Sequence, residues 1–113
     1  MGCAFAPAWA ADPPQKRFEL TIRGGTVPAA QRLMRVQKDD QLSWHVSSDA
    51  PGEIHLHAYR VQATLQAGTP VDISFKAFAT GRYRVEWHAA PARGEPAGSH
   101  PAPPLATLEV HPR

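Results

Sequence analysis

The sequence predicts an all-β fold, a sandwich or barrel of seven or eight short strands. Three observations lead there. Apolar and polar residues alternate in one short run after another, the period of a half-buried strand. Gly, Pro, Asp and Ser separate those runs at roughly regular intervals. No segment carries a convincing helical period, and no internal repeat is visible.

The elements follow in order. Residues 17–23, RFELTIR, put Phe18, Leu20 and Ile22 on one face, and Gly24-Gly25 ends the strand. RLMRV, 32–36, makes a second short strand, and KDDQ turns the chain. In QLSWHVS, 41–47, Leu42, Trp44 and Val46 point inward while Ser43, His45 and Ser47 point out. SSDAPG is a loop by composition, and EIHLHAYRV, 53–61, is the next strand. LQAGTP turns at Gly68 and Pro70. VDISF then places Val71, Ile73 and Phe75 inward, and FATG turns again. RYRVEWH, 82–88, puts Tyr83, Val85 and Trp87 on one face and Arg84, Glu86 and His88 on the other. Residues 89–104 hold five prolines and two glycines, which no regular element survives, so they form a long loop that carries His100. LATLEV closes the domain, and HPR is a tail with His111. The expected core is Leu20, Ile22, Leu42, Trp44, Val46, Ile73, Phe75, Tyr83, Val85, Leu108 and Val110.

At 113 residues, 42% of them apolar, the chain is one small domain with a modest core. Its net charge is +2 and its charges are interspersed, with no Lys/Arg run to track a phosphate backbone, which argues against nucleic acid. No apolar stretch approaches the roughly 20 residues of a membrane span. The start, MGCAFAPAWAADPP, is Ala-rich and uncharged before Asp12. Ala8-Trp9-Ala10 matches the end of a secretory signal peptide cleaved before Ala11. Residues 1–14 are therefore expected to be a signal-peptide remnant or a disordered leader, residues 15–113 the domain, and the location periplasmic or secreted. Gly2-Cys3 fits a lipoprotein site less well, since no apolar segment precedes it. Cys3 is the only cysteine, so removal of the leader leaves no disulfide, no thiolate nucleophile and no thiolate ligand.

Six histidines are a mild enrichment. His55 and His57, two apart in EIHLHAY, share one face of a strand. His88 ends another strand, and if the two strands are neighbours the three imidazoles converge at one end of the sandwich. Imidazole suits copper, zinc, iron and nickel. His55 and His88 are the expected ligands, with His57 or His100 as a third. The competing reading is structural: an imidazole bonded to Glu53, Glu86 or Asp49 simply satisfies the sheet. His57, deeper in its strand, is the more structural of the pair. His45 reads as solvated surface.

The order V-x-K-x-D-x-L-x-W-x-V, SDAPGEIHLHAY, AGTPVDISFKAFATGRYRVEWH and a final L-x-V strand resembles the cupredoxin-like domains of secreted bacterial proteins, over residues 17–111. The resemblance implies a Greek-key β-sandwich. It puts His55 at the family's first-ligand position, where a histidine opens a strand after a loop. It matches Gly81-Arg82-Tyr83-Arg84-Val85-Glu86 to the family's G-x-Y-x-[apolar]-x-Cys strand, with Trp87 where the cysteine would stand. His100 falls in the loop that carries the family's later histidine, at a longer spacing. A blue-copper centre needs the thiolate, so the implied site holds only histidines.

Two functions fit. One is periplasmic copper binding, as Cu(II) or Cu(I) with zinc as an alternative, for storage, delivery or tolerance. The other is a cupredoxin-shaped interaction module without metal, engaging a periplasmic protein partner. A domain that pairs through an exposed sheet edge is a third option. Nothing places a serine with an activating base, a cysteine nucleophile or a phosphate-cradling loop, so no enzyme is expected.

Overall fold

The alternating runs fold into eight strands. The computed structural model describes residues 15–90 and 104–113. The strands are β1 (Gln15–Ile22), β2 (Leu33–Gln37), β3 (Gln41–Ser48), β4 (Gly52–Leu56), β5 (Val61–Leu65), β6 (Val71–Lys76), β7 (Gly81–Ala89) and β8 (Ala106–His111). They form a three-stranded sheet in the order β1-β3-β6 and a five-stranded sheet in the order β2-β8-β7-β4-β5. The pairs β1–β3 and β2–β8 are parallel and the rest antiparallel. Among the described residues no helix is long and apolar enough to cross a membrane.

The two inner faces meet over the expected core. Leu20, Ile22, Leu42, Trp44, Val46, Val85, Leu108 and Val110 are buried, and Ile73, Phe75 and Tyr83 pack half-buried against them. β6 is an edge strand, which leaves its inward residues partly open. Trp44 sits at the centre with no exposed surface, its ring edge-on to Phe75 at 4.9 Å between centroids. Met34, Val36, Ile54, Leu56 and Leu65 also belong to the core.

Two expectations change. EIHLHAYRV is a hairpin, not one strand: β4 ends at Leu56 and pairs antiparallel with β5, Leu56 facing Val61. A single 3₁₀ turn, His57–Tyr59, makes the bend, and Arg60 closes it in the left-handed region at φ 55°. The cause is Tyr59. Leu56 and Tyr59 are both buried, a three-residue spacing that a strand cannot supply. The Tyr59 hydroxyl donates to the Ala79 carbonyl (2.6 Å) and accepts from the Ala79 amide (3.1 Å), while its ring lies among Phe75, Phe78 and Tyr83. The HPR tail is also ordered into the fold. His111 belongs to β8 opposite Gln37. Arg113 donates to the Lys38 carbonyl (2.8 Å) and pairs with Asp40, a carboxylate only 1% exposed that also accepts the Gln37 amide at 2.8 Å.

Two predictions follow from these anchors. Arg113→Ala strips a buried carboxylate of its cation and should cost about 1–3 kcal/mol in urea unfolding; a parent-like midpoint would mean that water already serves Asp40. Burial pushes the Tyr59 phenol above its ordinary 10.0, against an opposing backbone bond from Ala79. The unfolded phenol therefore ionises first, the unfolded chain binds fewer protons, and stability falls as pH rises past about 10. Tyr59→Phe should flatten that fall, and an unchanged slope would assign it to other groups.

Candidate metal centre

The antiparallel pairing of β4 with β7 sets Glu53 opposite His88, Ile54 opposite Trp87 and His55 opposite Glu86. Directly opposed residues share a face. Gly52, Ile54 and Leu56 are buried against the core. Glu53 and His55 therefore point outward, and so do Glu86 and His88. His57 joins them from the 3₁₀ turn just past β4. The three histidines meet on the outer face of the five-stranded sheet. The His55 ring stands 4.8 Å from that of His88 and 5.2 Å from that of His57, centroid to centroid. One ring nitrogen from each lies within 4.8 Å of the others, a group that could hold a metal ion.

The three are not equivalent. The His55 side chain is 16% exposed, against 51% for His88 and 68% for His57. His55 is thus the floor of the patch and His57 its rim; His57 does not lie deeper in the strand, as expected, because β4 ends at Leu56 and the bend lifts His57 off the sheet. Nε2 of His55 is buried and has no hydrogen-bond partner among the described residues. Glu53 Oε2 is 3.6 Å away, too far to serve. Glu86 Oε2 lies 3.0 Å from His57 Nε2 and 3.5 Å from His88 Nε2.

His100 and the leader fall outside the described residues. His45, on the outer face of the three-stranded sheet, has a carboxylate partner, Nδ1 standing 2.7 Å from Asp72 Oδ1. His111 contacts Glu109 at 3.2 Å.

Trp87, next to His88, points the opposite way, into the sandwich. A Cβ on Gly52 would stand 2.5 Å from its ring carbon Cζ2 and 2.7 Å from the His88 carbonyl oxygen. Gly52 was legible only as a turn residue in SSDAPG; its role in making room for an indole needs the β4–β7 register.

No family model and no curated protein matches the chain. Solved structures do. A multicopper oxidase, mgLAC, superposes with a TM-score of 0.62 at 21% identity, over 88% of this chain and 39% of its own. The blue copper oxidase of Nitrosomonas europaea gives 0.60 at 18%, over 88% and 39%. A copper binding protein in its apo form gives 0.60 at 11%, over 89% and 92%. The fold is the cupredoxin-like β-sandwich. The chain spans about two-fifths of the length of the two oxidases, and nearly all of the small copper binding protein.

In this cupredoxin-like frame the indole of Trp87 occupies the inward position that the resemblance gives to a thiolate. Gly52→Ala should cost about 1–3 kcal/mol through overpacking and shift the tryptophan emission. Parent-like stability would mean that the indole has room to move aside.

Proposed function

We propose that this chain binds copper through His55, His88 and His57, outside the cytoplasm, as a carrier or store and not as a catalyst. The observation that carries the reading is the buried Nε2 of His55, unpartnered among the described residues, beside two more imidazoles. A buried ring nitrogen without a partner costs free energy unless something occupies it. The fit is close. Three nitrogens each ~2.0–2.1 Å from one ion stand roughly 3.3–3.6 Å apart. Side-chain movements of about 1.2–1.5 Å therefore bring a group that lies within 4.8 Å onto a single ion. Residues 15–113 contain no cysteine, so a thiolate-based electron-transfer centre has no donor here. The patch is open, with two of its rings half or more exposed, which suits uptake and hand-over of an ion. Export rests on Ala8-Trp9-Ala10 and the Asp-Pro-Pro that follows. All three of the similar structures are named for copper, which favours copper over zinc.

One observation favours a second reading. Glu86 bonds His57 at 3.0 Å without metal and stands 3.5 Å from His88, which leaves a metal-free interaction module.

Titration with Cu(II) separates the two. His55→Ala and His88→Ala should each weaken binding by about tenfold or more, or 1.4 kcal/mol. The complex should give a tetragonal EPR signal without the intense blue band of thiolate sites. Variants that bind as tightly as the parent would overturn the ligand assignment. A parent that binds no copper would leave the module.

A further inference from the structure

We infer that Glu86 is a fourth ligand of the histidine site and that its carboxylate makes the site select divalent copper over Cu(I). The inference rests on the copper reading and adds an oxidation-state preference to it.

The geometry comes first. Two donors each ~2.0–2.2 Å from one ion stand roughly 2.8–3.1 Å apart at the right angle of tetragonal Cu(II), and roughly 3.3–3.6 Å apart at the tetrahedral angle. Glu86 Oε2 is 3.0 Å from His57 Nε2 and 3.5 Å from His88 Nε2. One oxygen thus keeps ligand-to-ligand spacing to two imidazoles at once. Register fixes it there, because Glu86 lies directly opposite His55 in the β4–β7 ladder. Its side chain is 34% exposed, so it is partly shielded from competing water. Glu53, the other acid on this face, is occupied differently: its Oε1 accepts from Gln62 (3.3 Å) and Thr64 (3.4 Å).

The chemistry follows from the donor set. Carboxylate oxygen is a hard donor, and soft sulfur donors are what select Cu(I). The site offers none. Coulomb attraction scales with the charge on the ion, so one carboxylate holds Cu(II) twice as strongly as Cu(I) at equal distance.

The test is Glu86→Gln, which keeps the shape and hydrogen-bonding capacity but removes the charge. Cu(II) affinity is measured by competition titration, Cu(I) affinity anaerobically against a chromophoric chelator, and Zn(II) as a redox-silent control. Cu(II) and Zn(II) should each weaken about tenfold or more, the range for lost metal-site partners. Cu(I) should hold within about threefold, and the Cu(II) EPR parameters should move as an oxygen donor is exchanged. If all three ions weaken equally, Glu86 only orients the rings and the inference fails. If none weakens and the EPR signal is unchanged, it fails as well. Either result leaves the copper reading intact so long as His55→Ala and His88→Ala lose Cu(II). Loss of the reading itself shows as a parent that binds no copper.

Discussion

The antiparallel register between β4 and β7 is the constraint on which the rest of the molecule depends. It places Ile54 against Trp87 and His55 against Glu86 in consecutive rows. Because side chains alternate, the first row faces the core and the second faces solvent. One ladder therefore does two jobs. Its inner rows seal the sandwich over Trp44, and its outer rows assemble imidazoles and a carboxylate. A slip of one residue would exchange the faces, exposing Ile54 and Trp87 and burying His55 and Glu86. The apolar cost of that exchange fixes the register, and the register fixes the geometry of the patch. The candidate site is thus held by the hydrophobic core at no further cost in special contacts.

Beyond the register, the chain spends polar groups on closing the sandwich. Tyr59 bends the hairpin inward and ties it to the segment before β7 through Ala79. Arg113 closes the opposite connection by reaching the buried carboxylate of Asp40, which in turn holds the turn between β2 and β3. The first of these anchors matters to the site. Bending at Leu56 is what lifts His57 from the strand line to the rim, within reach of His55 and Glu86. In a continuous strand His57 would lie two residues, roughly 6–7 Å, further along the ladder.

Period-two alternation made most of the fold legible. Strands such as QLSWHVS and RYRVEWH, and the inward set from Leu20 to Val110, read directly because each buries one face and wets the other. The hairpin in EIHLHAYRV did not. Its bend carries no Gly or Pro, and Arg60 takes the left-handed conformation without a residue type that advertises it. The cause is a tertiary contact of Tyr59, invisible to local pattern. The tail failed to read as structure for a similar reason, since Arg113 finds Asp40 across 73 positions of sequence. For the site, His55, His57 and His88 were legible as a candidate set from strand spacing alone. Their order of burial was not, because it depends on where β4 stops. Glu86 was legible only as a partner for an imidazole; which imidazoles it meets is a matter of register.

Trp87 and His88 show how far the two faces of one strand can diverge. The resemblance to copper domains leads to the position of Trp87, and there the chain carries bulk: an indole whose fit requires a glycine at position 52. One residue later, on the other face, lie the nitrogen donors. The interior route to a metal is filled, while the exterior one is open. A filled interior raises core density and gives the sheet the stiffness that keeps four outward side chains in fixed relation. An exterior cluster is reachable by solvent or by another protein without opening the fold. The arrangement separates stability from binding, so that the core can be close-packed without trapping whatever the outer face holds.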